Sequence, residues 1–279
     1  MTADRLHGVH LKLDRAEHHL RVLDADASSW LQRAPYTLYG EFESWPKFGR
    51  GPNFGLYRLK FRDVDVVPSE WSVRVGDFLH NARTALDHLV WQLALANDAT
   101  PDTSNQFPIC LTPEEFAESM KRNRLRGVHE DDAQVIKETQ PYAHEDFQGY
   151  SSDQLKIDQP LAILRELSNT DKHRVLNPTL AMVRNVIWSP LPSTVRDLNL
   201  PNGTDSYPGL PDALTDGSLL MSIVAERTGP APYLDVDAVV GVEINLGRDA
   251  PNKSMIANLT AILAEVRSTV SRFENDSRI

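Results

Sequence analysis

Apolar residues recur every three or four positions from residue 3 to residue 34: Leu6, Val9, Leu13, Ala16, Leu20, Leu23, Ala27 and Trp30. That spacing puts them on one face of a helix, which Pro35 ends. The period then switches to two. In "YTLYGEFES", Tyr36, Leu38, Gly40 and Phe42 alternate with Thr37, Tyr39, Glu41 and Glu43. In "GLYRLKFRDVD", Tyr57, Leu59 and Phe61 alternate with Arg58, Lys60 and Arg62. Both stretches predict half-buried strands, and the Gly/Pro-rich link "WPKFGRGPN" joins them as a hairpin. The outer acids of the first strand should face the outer bases of the second.

Helical spacing returns over 69–97, with Ser69 as the expected N-cap. "TPEEFAESMKRN" predicts a shorter helix, with Thr112 as cap, Pro113 at the first helical position and Glu115 completing a capping box. Another short helix is expected near 130–138, then a polar stretch over 141–157. "DQPLAILRELSNT" is helical again. "TLAMVRNVIW", "SLLMSIVAE" and "DAVVGVEINLG" read as strands, separated by a long Pro/Gly-rich loop at about 189–217. The last helix covers 251–274, opened by Pro251 and lined by Ile256, Leu259, Ile262, Leu263, Val266 and Val270. No period of 20 to 50 residues repeats. The expected architecture is a single α+β domain over 1–279. A helical bundle (about 3–34, 69–97, 158–170 and 251–274) carries an added, mostly antiparallel sheet (about 36–64 and 179–247).

Composition narrows the classes of function. The net charge of −10 disfavours a general nucleic-acid or membrane-surface binder, but leaves room for a local basic site. A single cysteine, Cys110, rules out an intramolecular disulfide and a thiolate zinc cluster within one chain. With no apolar leader and no membrane-spanning run, a cytoplasmic setting is expected.

The helix at 69–97 holds the strongest candidate site. At about 100° per residue, Phe78, Leu79, Ala82, Ala85, Leu86, Leu89, Val90 and Leu93 share one half of the wheel. The other half carries His80, Asn81, Arg83, Thr84, Asp87, His88, Trp91 and Gln92. Such a half-face ordinarily meets water. This one has no Lys or Glu, the usual solubilising helix formers, and is rich instead in groups suited to directed hydrogen bonds. Arg83 and Asp87, four apart, are placed to pair. Asn81, Thr84 and His88 share a narrower row.

A second polar cluster, Asn169, Thr170, Asp171, Lys172, His173 and Arg174, sits where a helix gives way to a strand. It reads either as an ordinary basic helix exit or as the facing wall of a cleft. "MKRNRLRGVH", with Lys121, Arg122, Arg124 and Arg126, is the densest basic run. It reads either as a solvated helix end or as a substrate contact.

"ARTALDH" sets Arg83 and His88 four residues apart in a long helix. The arrangement resembles the R-x4–6-H signature of the HEPN superfamily (higher eukaryotes and prokaryotes nucleotide-binding domains). The resemblance implies a helical bundle that works as a homodimer, and metal-independent cleavage of RNA in toxin or phage-defence systems. It also implies an antitoxin-like or regulatory partner and no cofactor. Arg83 would hold the phosphate, His88 would act as acid or base, and Asn81 or Asp87 would orient the imidazole. His80, Thr84, Asn169, Asp171, Lys172, His173 and Arg174 would contact substrate. The chemistry is coherent: RNA supplies its own 2′-hydroxyl nucleophile, imidazole moves protons near neutral pH, and guanidinium grips phosphate with two hydrogen bonds. The polar face, on this reading, adds little to apolar packing, so substitutions at Arg83 and His88 should leave folding intact. Two alternatives stay open. A divalent ion could be gathered by His80, Asp87, His88, Asp171, His173, His18 or His19. Or the stripe could be structural, in a non-enzymatic binding protein.

Overall fold

The computed structural model describes residues 5–44, 54–172, 176, 178–188, 195–199, 214–226, 236–244 and 253–274. Its helices are α1 (His7–Gln32), α2 (Glu70–Ala96), α3 (Pro113–Lys121), α4 (Glu130–Glu138), α5 (Ser152–Asp158), α6 (Pro160–Asp171) and α7 (Met255–Ser271). Its strands are β1 (Thr37–Ser44), β2 (Phe54–Arg62), β3 (Thr179–Trp188), β4 (Val195–Asn199), β5 (Leu219–Glu226), β6 (Val236–Ile244) and β7 (Lys253–Ser254). The fold is α+β, as the two periodicities predict.

Helix α2 is the central member of the bundle, in contact with α1, α6 and α7. Its predicted apolar half is sealed: Phe78, Ala82, Ala85, Leu86, Leu89, Val90 and Leu93 have no exposed surface, and Leu79 is 1% exposed. Removing that much apolar surface from water is the main stabilising contribution to the bundle. The α1 stripe from Leu6 to Trp30 is buried too, and Trp30 meets Trp71 edge-on at 5.7 Å.

Every strand pair is antiparallel. The hairpin β1–β2 forms with the expected cross-strand ion pairs, Arg58–Glu43 and Lys60–Glu41, each at 2.6 Å. The strands do not make one sheet, however. They divide into a four-stranded sheet, β1-β2-β5-β4, and a three-stranded sheet, β3-β6-β7. The second packs on α7 and α1 through β6.

Local details correct several expectations. Ser69 precedes α2 in helical geometry and makes no side-chain cap. Thr112 does cap α3, accepting from the Glu115 N–H at 3.2 Å, but the Glu115 carboxylate bonds elsewhere. The polar stretch after α4 contains two 3₁₀ turns and α5, whose Ser151/Gln154 capping box is complete. Strand β4 lies inside the stretch expected to be loop. Helix α7 opens on Ser254, whose hydroxyl accepts from Ala257; Pro251 lies outside the described residues.

Candidate functional site

The polar half of α2 is divided between two environments. Asn81 and His88 look toward α1. Asn81 donates to the Asp77 carbonyl at 2.8 Å and accepts from Lys12 Nζ at 3.4 Å. His88 Nδ1 stands against Gly8, 3.7 Å from where a Cβ there would sit. His80, Arg83, Thr84 and Asp87 instead line a cleft of about 790 Å3. Helix α2 forms one wall of this cleft. Helix α3 and its exit supply Glu115, Glu118, Ser119, Arg122 and Arg124, and α6 supplies Arg165, Ser168, Asn169 and Lys172.

The floor is the chain from Gln106 to Cys110. This stretch belongs to neither helix nor strand, yet Phe107, Ile109 and Cys110 are buried. Its main-chain groups therefore need partners from side chains. Arg83 donates to the Phe107 carbonyl, and Asp87 accepts from the Phe107 N–H at 2.9 Å. Arg165 donates to the Ile109 carbonyl at 3.1 Å, and Gln140, fully buried, accepts from the Cys110 N–H at 2.9 Å. The Glu115 carboxylate accepts from the Leu111 N–H at 2.9 Å and from Arg165 at 2.6 Å. Arg83 and Asp87 also pair at 3.4 Å. These two residues hold the N–H and the carbonyl of one residue, and so the two peptide groups that flank it. That is a structural duty, and it argues against the expectation that substituting Arg83 leaves folding intact.

Electrostatics follow from the crowding. Burial pulls the Arg83 guanidinium down from its ordinary value; Asp87 opposes this, and the neighbouring Arg124 and Arg165 add to it. A guanidinium still holds its proton at neutral pH. Burial acts to raise the Glu115 carboxyl, but the Arg165 hydrogen bond, the Leu111 N–H and the Arg165 charge hold it below its usual value. Burial, then the Glu115 charge, push the Cys110 thiol up to about 11.

The cleft is lined by five cations, Arg83, Arg122, Arg124, Arg165 and Lys172, against three carboxylates, Asp87, Glu115 and Glu118. Arg83 and Arg165 are engaged with the floor. Arg122 pairs with Glu118 at 3.5 Å. Arg124 is bonded by its guanidinium to the Gln106 side chain and accepts the Gln106 N–H on its carbonyl at 3.1 Å. Among the described residues, no carboxylate pairs with Arg124 or Lys172.

Of the residues singled out by sequence, His80, Arg83, Thr84, Asp87, Asn169 and Lys172 converge here. Asp171 sits just outside the cleft, against Gly76 of α2. His173 and Arg174 lie outside the described residues. Asn81 and His88 face α1, away from Arg83. Neither Asn81 nor Asp87 is bonded to His88, since both are spent on other partners. Arg122 and Arg124 join the site from the basic run. Gln106, Glu115 and Arg165 were not foreseen as site residues. No three His, Cys, Asp or Glu side chains among the described residues gather as metal ligands. No described helix is long and apolar enough to cross a membrane.

No family model, curated protein or solved structure matches this chain. The likeness to HEPN proteins thus stands on the Arg83–His88 spacing, and those two side chains do not share the cleft.

Proposed function

We propose that this protein binds a phosphate ester in the cleft between α2, α3 and α6. The observation that carries the reading is the excess of cations over carboxylates at one concave place in a chain of net charge −10. Arg124 and Lys172 hold charge that no carboxylate among the described residues neutralises, and a guanidinium with free donors is a strong phosphate ligand. Calorimetric titration with adenosine 5′-monophosphate at low salt tests it. Binding should appear, and Arg124→Gln should weaken it about tenfold, as expected for a lost charge-assisted hydrogen bond. No heat and no saturation with the wild-type protein at millimolar nucleotide would remove the reading.

A second reading, metal-independent RNA cleavage, is favoured by one observation: His80 lines the same cleft as the cations. The 2′-hydroxyl of a bound strand would attack its phosphate and expel the 5′-oxygen of the next nucleotide, with the His80 imidazole taking the hydroxyl's proton and returning one to the departing oxygen, and Arg124 and Lys172 stabilising the charge on the phosphoryl oxygens. The HEPN resemblance adds a homodimer and a silencing partner in the cytoplasm. Incubation with RNA in EDTA should yield 2′,3′-cyclic phosphate ends. His80→Ala should slow the reaction about a hundred- to ten-thousand-fold. A loss with His88→Ala instead, His80→Ala being unaffected, would return the role to His88 and move the reaction to the α1 side of α2.

A further inference from the structure

The cations of the cleft stand in two groups. Asp171, at the end of α6, lies against Gly76, one turn before His80 on α2. Arg165, near the middle of α6, reaches the floor at Ile109, beside the Phe107 peptide that Arg83 holds. The two helices therefore run in opposite directions along the cleft. His80 and Lys172 belong to one end, and Arg83, Arg124 and Arg165 to the other. Lys172 stands seven residues beyond Arg165, about 10 Å along the helix axis.

Between the two ends the lining is neutral and polar. Thr84 projects from α2, and Ser168 and Asn169 from α6. Among the described residues, neither the Thr84 nor the Asn169 side chain is engaged in a hydrogen bond. The Thr84 hydroxyl and the Asn169 amide suit the hydroxyls of a sugar. The aromatic side chains of the described lining are Phe107, which is fully buried, and the exposed imidazole of His80 at one end.

We infer that the cleft takes two phosphates separated by one nucleoside, contacting phosphate and sugar. This deepens the phosphate-ester reading and rests on it. Free nucleoside 3′,5′-bisphosphates and successive phosphates of an RNA strand share this chemistry.

Comparing ligands of equal charge but different spacing tests the inference. Adenosine 3′,5′-bisphosphate and adenosine triphosphate carry similar charge, and only the first divides it across a nucleoside. Dissociation constants are measured without divalent ions at one low salt concentration. The bisphosphate should bind at least about tenfold tighter, a difference of about 1.4 kcal/mol. Arg124→Gln should weaken both ligands. Lys172→Gln should weaken the bisphosphate more than the triphosphate and so erase the preference. Equal affinity for bisphosphate and triphosphate in the wild type would overturn the inference and leave the phosphate-ester reading standing. Failure of every probe, adenosine monophosphate included, would remove both. A short oligoribonucleotide with hydroxyls at both ends separates the two sources. Binding as tight as the bisphosphate assigns the site to an RNA strand, and binding of the bisphosphate alone assigns it to a free nucleotide. Thermal melts of each variant confirm that the fold is retained before affinities are compared.

Discussion

Arg83 holds the carbonyl of Phe107 and Asp87 its N–H, and they touch one another. Removing either leaves a buried main-chain group without its partner. Arg83→Ala and Asp87→Ala should each cost about 1–3 kcal/mol in urea unfolding. Because the two share a partner, the double variant should cost clearly less than the sum of the singles. Single variants within about 0.5 kcal/mol of the wild type, the range of an ordinary surface change, would show that the clamp holds nothing. The sequence already displayed both residues, their i,i+4 spacing and the odd composition around them. It could not display their target. A helical wheel separates polar from apolar positions, but it does not say which neighbour will cover the polar ones. Asn81 and His88 lie within the same polar half as Arg83, and α1 took them.

At the scale of elements, the stretch from Gln106 to Cys110 explains why part of the site was illegible. "QFPIC" reads as a short apolar link, and its contribution is made by main-chain groups that leave no pattern in side chains. Its partners were hidden for the same reason: Glu115 looked like half of a capping box, and Arg165 like a solubilising residue on α6. The stretch also carries a pH dependence. The Cys110 thiol is raised from its ordinary 9.0 to about 11, so the folded protein holds that proton more tightly than the unfolded chain. The associated stability is fully present below about 9 and is lost as the pH climbs through about 11. Urea unfolding at about pH 8 and about pH 10.5 should show a fall in the wild type that is smaller in Cys110→Ala. That variant serves as the reference because burial also raises Tyr57 and Tyr142. Identical falls in both proteins would mean that the thiol takes no part.

For the whole molecule, a small basic cleft in an acidic chain makes a definite prediction about long polyanions. The net charge of −10 disfavours a nucleic acid over the surface as a whole. Affinity for single-stranded RNA should therefore stop rising once the strand fills the cleft. It should weaken with salt, with Lys172→Gln lowering the logarithmic slope by roughly 0.7. Fluorescence anisotropy over a series of lengths and salt concentrations measures both. Affinity that keeps growing with length would point to a second basic surface. The α+β class and the antiparallel pairing were legible because each strand carries its own alternation. The division into two sheets was not. β5 pairs with β2, more than a hundred residues earlier, and not with β6, the next strand along the chain, and no local window contains that choice.

The side-chain clamps on the floor set one further condition on change. Apart from the Gln106 side chain, the polar groups they hold belong to the main chain, and Pro108 has no N–H to be held. Exchange of Pro108 or Ile109 for residues of other bulk would thus reshape the bottom of the cleft while its charges stay where they are. Contour and electrostatics are independently adjustable here: one through the residues of the floor, the other through Arg124 and Lys172 on the walls.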